Sequence, residues 1–310
     1  MFFLLPLGFI GYGWGPKALW PAVFFAVIGN SILILFAGFA LRVPGADLVW
    51  DILYFAVTSA VFAWIILPFD EKSLLIPGAY RLAIGAMLCT IVFIGLFVRS
   101  FDNPYFFESV SSQVDLIAAF YRSGSETATQ AESINTEAIV EVAKEMILRG
   151  GALFASVVML FINRQLSVFL IRIFGGPRRT NVFLGFRVYT QIIWVFLISI
   201  SLVLVSNTMS LEILGIIAWN TLILCIMMYL AQGFGIIKYL TSKPAFPVFM
   251  RFLLPVVFVF LLFSPGINAL LLGAIVLLGL VENWVSLRSF NIPKANDVIV
   301  NQEPPSTPEA

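Results

Sequence analysis

Eight stretches of this chain are each apolar over about the length a helix needs to cross a bilayer, and that pattern limits what the chain can fold into. The hydrocarbon core is about 30 Å thick and a helix rises about 1.5 Å per residue, so a crossing takes about 20 residues. The runs are Ala18–Ala40, Leu48–Phe69, Tyr80–Val98, Gly150–Phe174, Val188–Val205, Leu211–Leu230, Val248–Phe263 and Ile267–Leu287. Backbone exposed to lipid must satisfy its own hydrogen bonds, and uninterrupted runs of this length fit helices rather than the alternating short strands of a membrane barrel. The expectation is an all-α polytopic transmembrane bundle of about eight spanning helices over residues 1–290.

Composition agrees. Hydrophobic residues are 60% of the chain and charged residues 11%, against about 45–50% and about 25% in soluble domains. The net charge of +1 gives no footprint for nucleic acid. There is no histidine, which excludes His-ligated zinc, Ser-His-Asp triads and imidazole bases within this chain. Cys89 and Cys225 each fall inside an apolar run and read as buried thiols, not as a disulfide framework. No carboxylate pair has metal-binding or glycosidase-like spacing, and the glycines of Gly11-Tyr12-Gly13-Trp14-Gly15 lack the strand, helix and lysine of a phosphate loop. No cofactor, metal or enzymatic activity is expected.

Three segments lie outside the spans. Phe2–Tyr12 is apolar but too short to cross; it reads as a re-entrant or interfacial piece, or as the tail of a helix that begins earlier. Residues 99–149 carry four basic and eight acidic side chains. Within them Val110, Val114, Ile117 and Tyr121, and again Ile134, Ala138, Val142 and Met146, recur at helical spacing around the Ser/Thr/Gly-rich stretch Ser123–Ser133. That pattern is an amphipathic helical hairpin, lying on the membrane or acting as a lid. Asn291–Ala310 is polar and Pro-rich and reads as a disordered tail.

Basic residues orient the bundle. With Arg178, Arg179 and Arg187 on the cytoplasmic side, thirteen of the eighteen Lys and Arg residues fall inside, which puts the 99–149 hairpin outside and the C-terminal tail in the cytoplasm.

Charges and amides within spans are costly and mark candidate sites. Arg164, in Phe161-Ile162-Asn163-Arg164-Gln165, either points inward to hold an anionic group or snorkels to the cytoplasmic interface. Glu282 shares a helix face with Ser286 but not with Arg288, so a basic residue from another helix is its expected partner. Trp284 then fits an interfacial belt. Asp51 lies one turn into its helix, at the interface. Asn30, Asn163, Gln191, Asn220, Gln232 and Asn268 either line a polar cavity or hydrogen-bond between helices.

Three stretches carry a resemblance. They are Asn163-Arg164 with Leu170-Ile171-Arg172-Ile173-Phe174-Gly175, then Ala231-Gln232-Gly233-Phe234-Gly235-Ile236-Ile237-Lys238-Tyr239, and Leu278-Gly279-Leu280-Val281-Glu282-Asn283-Trp284-Val285-Ser286-Leu287-Arg288. Together they resemble the YybS-like family of bacterial multi-pass membrane proteins, well over the C-terminal half and loosely before it. That family tends to have Asp at the position of Glu282 and Pro where this chain has Gly150-Gly151. Its segment after the first helix is similar to Pro6–Gly15, which implies a shortened first helix here. The resemblance implies a bacterial inner-membrane location and lends no activity. The family is similar in architecture to the membrane-embedded substrate-binding components of energy-coupling-factor transporters. By that analogy the chain binds or transports a small solute near the external side of the bundle, uses Arg164, Gln232 and Glu282 as polar positions, and works with an ATP-hydrolysing partner. The alternative is a non-transporting scaffold that docks an envelope assembly through the external hairpin or the Arg178-Arg179 loop.

The topology is open to direct measurement. In a variant with Cys89 and Cys225 replaced, single cysteines at Ser125 and Arg178 should label from opposite sides of sealed vesicles; labelling from the same side rejects the orientation.

Overall fold

The computed structural model describes residues 3–41, 45–67, 78–101, 112, 136–174, 186–243, 247–264 and 266–289. Among them every regular element is helical: α1 (Leu5–Trp14), α2 (Pro16–Leu41), α3 (Gly45–Ile66), α4 (Gly78–Phe101), α5 (Thr136–Met146), a π-helical turn (Ile147–Gly151), α6 (Ala152–Ile173), α7 (Ile192–Met209), α8 (Glu212–Ser242), α9 (Val248–Leu262), α10 (Ile267–Val281) and a 3₁₀ turn (Leu287–Ser289). The segment from Val110 to Tyr121 apart from Ser112, the Ser123–Ser133 stretch, the Arg178-Arg179 loop and the tail from Asn291 lie outside the described residues.

The chain forms two compact units, residues 1–180 with 195–224, and residues 181–194 with 225–310. In the first, α3 packs between α2 and α4, while α6 lies against α1 and α4. Its core joins Leu7, Leu19, Phe62, Ile66, Leu153, Leu160 and Ile171. Some polar side chains sit inside this unit while some large apolar ones face out. Thr58, Ser59, Asn163 and Ser167 are fully buried, whereas Phe36 is 73% and Phe39 86% exposed. Thr58, Nδ2 of Asn163 and Ser167 donate to carbonyls one turn back, at Tyr54, Met159 and Asn163. Apolar surface on this scale is stable only against acyl chains. The protein is an integral membrane protein.

Among the described residues six helical stretches are long and apolar enough to cross, and α9 and α10 are shorter apolar helices. The first four expected spans agree with α2, α3, α4 and α6 to within a few residues. Three others differ. The fifth begins at Ile192 rather than Val188, because residues 186–189 have no regular secondary structure. The sixth runs on to Ser242, 31 residues or about 46 Å of helix, because Gln232 and Gly233, which read as an end, are buried by packing. The eighth stops at Val281 after 15 residues, about 22 Å and short of a full crossing, because the chain turns at Glu282.

The N-terminal segment is not a surface piece. α1 is a ten-residue helix set into the first unit, where Gly8 lies against Ser167 and Phe62, and Gly11 against Ile66 and Leu19. Gly15, at φ 80°, then reverses the chain into Pro16 at the start of α2.

Of the expected hairpin, α5 is described. Its Val140 is buried, while Val142 and Met146 are exposed. At the Gly150-Gly151 entry to α6 the helix opens into a π turn with Gly150 at φ 127°. Asn220 of α8 donates to the freed Leu148 carbonyl at 2.7 Å.

In the second unit α8 and α10 meet backbone to backbone. A methyl group on Gly233 would overlap the Ile275 carbonyl, and one on Gly279 the Tyr229 carbonyl, whereas Gly273 on the same helix faces open space. Backbone cannot yield as a side-chain tip does. Gly279→Ala should therefore cost about 1–3 kcal/mol, and Gly273→Ala should be neutral or stabilising by up to about 1 kcal/mol. Thermal unfolding in one detergent reads both; equal midpoints for the two variants would contradict the contact.

Candidate functional site

Two groups of polar side chains stand out, one in each unit. The second unit holds the denser one, and its origin is the irregular segment 186–189. Backbone without regular structure leaves N–H and C=O groups that no helix satisfies. Side chains take them over. The Val188 N–H donates to Oε1 of Gln232 at 2.6 Å, and Nη2 of Arg288 donates to the Phe186 carbonyl at 2.8 Å. Gln232, 1% exposed, turns its Nε2 to the Gly279 carbonyl at 2.9 Å and to Oε2 of Glu282 at 3.5 Å. Only one orientation of the amide fits, because the other would set its NH₂ against the Val188 N–H and its oxygen against two acceptors.

Glu282 occupies the centre. Its Oε1 lies 3.1 Å from Nε of Arg288 and 3.7 Å from Nη2 of Arg187. The Arg288 contact is an ion pair off the hydrogen-bond direction. The carboxylate and Arg288 are buried, whereas the Arg187 side chain is 57% exposed. Beside them Nδ2 of Asn283 donates to the Tyr229 hydroxyl at 3.4 Å. Burial pushes the Arg288 guanidinium below its usual range; Glu282 works against that shift and Arg187 adds to it.

The expected pairing of Glu282 is thereby corrected. The helical-face argument separated it from Arg288, but α10 ends at Val281 and the turn through residues 282–285 returns Arg288 to it. The second partner, Arg187, belongs to the irregular segment rather than to another helix.

Arg164 belongs to the first unit, half-buried on α6. It lies close enough to Arg81 for the two like charges to act on each other, and Tyr12 acts on Arg81 as well. Arg81 is 7% exposed at the start of α4, and its Nη1 donates to the Trp64 and Leu67 carbonyls, at 3.3 and 3.4 Å, where α3 ends. A helix C-terminus carries about half a negative charge. Arg164 has no hydrogen bond or ion pair among the described residues. The structure thus brings Gln232 and Glu282 together and sets Arg164 beside a different residue. Arg81 was counted only as a cytoplasmic charge in the sequence. Its signal was a lone arginine just past Pro77-Gly78, at a helix start where a cation gains nothing from its own helix.

The amides fall mostly on backbone. Asn163 bonds within its own helix, Asn220 reaches Leu148, Gln232 holds the irregular segment, and Asn268 accepts from the Ala269 N–H at the start of α10. Among the described residues no group of three or more Cys, Asp or Glu side chains is placed to hold a metal ion. Two of the stretches that carry the family resemblance, around Gln232 and Glu282, meet in the second unit's group. No family model, curated protein or solved structure matches the chain.

The second unit's group is internally paired, so losing its centre leaves buried charge behind. Glu282→Gln should destabilise by about 3–5 kcal/mol, and Gln232→Leu by about 1–3 kcal/mol for each backbone group it abandons. Arg187→Gln, at the exposed rim, should cost less than about 1 kcal/mol. Denaturation in micelles ranks the three, and a cost for Arg187→Gln equal to that for Glu282→Gln would refute the arrangement.

Proposed function

We propose that this protein is a membrane-embedded binding component for a small anionic solute, with Arg164 and Arg81 as its recognition pair. The observation that carries this reading is the placement of Arg164: half-buried, acting electrostatically on a second arginine, Arg81, and without a hydrogen bond or ion pair among the described residues. Two guanidiniums that act on each other repel, and a carboxylate or phosphate that reached both would convert that repulsion into charge-assisted, bidentate hydrogen bonds. Tyr12 also acts on Arg81. The group around Glu282 and Gln232 is already internally paired and serves to hold the second unit's backbone.

Positive-inside reasoning assigns this end of α3 and α4 to the cytoplasmic leaflet of a bacterial inner membrane, with the C-terminus on that same side. The site therefore opens inward rather than near the external face. In keeping with the resemblance to YybS-like proteins and to transporter substrate-binding components, movement of the solute would draw on an ATP-hydrolysing partner. The scaffold alternative rests on the hairpin tip and the Arg178-Arg179 loop, both outside the described residues, and no contact favours it.

Protein purified from its own membranes in mild detergent should release an anionic small molecule on denaturation, detected by mass spectrometry. Arg164→Gln should cut that yield at least about tenfold, the scale of one lost charge-assisted contact of about 1.5–3 kcal/mol. Arg187→Gln should leave it unchanged. A wild-type protein that releases no anion, or an Arg164→Gln variant that releases as much, would sink the proposal.

A further inference from the structure

The basic end of the second unit points to a different ligand. Its cations are connected. Arg187 and Arg288 share Glu282, Tyr239 acts electrostatically on Arg288, Lys243 sits 5.1 Å above the Tyr239 ring, and Arg251 donates to the Lys243 carbonyl at 2.7 Å. Two of these basic side chains share one carboxylate, and two more connect to them through Tyr239. That carboxylate is held most closely by Arg288, at 3.1 Å against 3.7 Å for Arg187. Arg187 is the loosest member and the one that faces out.

We infer that this end binds the headgroup of an anionic phospholipid, with Arg187 turning from Glu282 to the lipid phosphate and Lys243 supplying the second charge. Three observations favour a lipid over a free anion. α8 ends at Ser242, α9 begins at Val248 and α10 ends at Val281, so the cations stand where the apolar helices stop. Trp284 is 66% and Tyr189 53% exposed, large amphipathic rings beside the carboxylate and beside Arg187 in the chain. Such rings settle at headgroup depth. Leu277 and Val281 are exposed along the last turns of α10, apolar surface that an acyl chain covers and an inorganic ion does not. Basic pockets between membrane helices are a known way to hold anionic headgroups. Arg187 also belongs to the irregular segment that Gln232 and Arg288 hold in place, so a bound headgroup would add a tie to that stretch.

The full-length protein in nanodiscs of equal parts phosphatidylglycerol and phosphatidylcholine tests this by native mass spectrometry of retained lipid. Wild type should retain phosphatidylglycerol in preference by about tenfold or more. Arg187→Gln and Lys243→Gln should each weaken the preference about fivefold, the worth of one basic residue at an anionic membrane. Arg187→Lys should keep most of it, which separates lost charge from lost fold. Arg164→Gln, which tests the solute site, should leave it intact. Equal retention of the two lipids by wild type, or a preference that survives the double variant Arg187→Gln/Lys243→Gln, would overturn the inference. So would displacement of the lipid by millimolar inorganic phosphate, since that would mark a small-anion site.

Discussion

In hydrocarbon no water completes an unpaired backbone group, and each one left open costs several kcal/mol. Helices meet that demand wherever they are regular. This chain departs from regular helix at Ile147–Gly151, at residues 186–189 and after Val281. At the first two a side chain from elsewhere in the same unit takes the freed group: Asn220 the Leu148 carbonyl, Gln232 the Val188 N–H, Arg288 the Phe186 carbonyl. At the third, the backbone of the turn bonds to itself, Val285 N–H to the Val281 carbonyl at 2.9 Å, and the side chains of Glu282 and Arg288 close on each other. Two of the amides scattered through the apolar runs, Asn220 and Gln232, are therefore the partners of irregular backbone, and their positions follow from where the backbone bends.

Packing follows from the same solvent. Lipid tails are as apolar as leucine, so helices gain little by hiding leucine from them, and association depends on close contact instead. Glycine supplies it. Gly233 and Gly279 let α8 and α10 touch along their backbones, which brings the Gly279 carbonyl within reach of Gln232. Gly8 and Gly11 do the same for α1 against Ser167, Phe62, Ile66 and Leu19. A ten-residue helix has too little length to cross a bilayer and is held by this intimacy.

Run length was legible because bilayer thickness sets it, and the all-α bundle with its first four spans could be read directly. What faces lipid and what faces protein was not. α2 and α7 are apolar on every side, so no periodicity separates Phe36, which is exposed, from Val23, which is buried. The end of α8 was missed because Gln232 reads as polar, and polarity says nothing about a partner waiting 44 residues away in the chain. The end of α10 was missed for the opposite reason: Val285 and Leu287 continue the apolar run past the residue where the helix stops. Glu282 and Gln232 were found as notable residues by the cost of burying polarity. Their joint role was hidden, because it depends on an irregular segment that hydropathy cannot tell from helix.

The two arginine environments show why burial alone does not mark a ligand site. Arg288 is buried deeply, yet it has a carboxylate at 3.1 Å and a carbonyl at 2.8 Å, so the cost of drying it is met inside the protein. Arg81 is buried as deeply and rests on the carbonyls that end α3, whose partial charge offsets part of that cost. Arg164 is buried less, its charge acts on Arg81, and no acid among the described residues pairs with it. Two cations that act on each other gain from an anion that reaches both. Recognition of an anion is thus expected at Arg164, at the edge of burial, and not at the more elaborate network around Glu282.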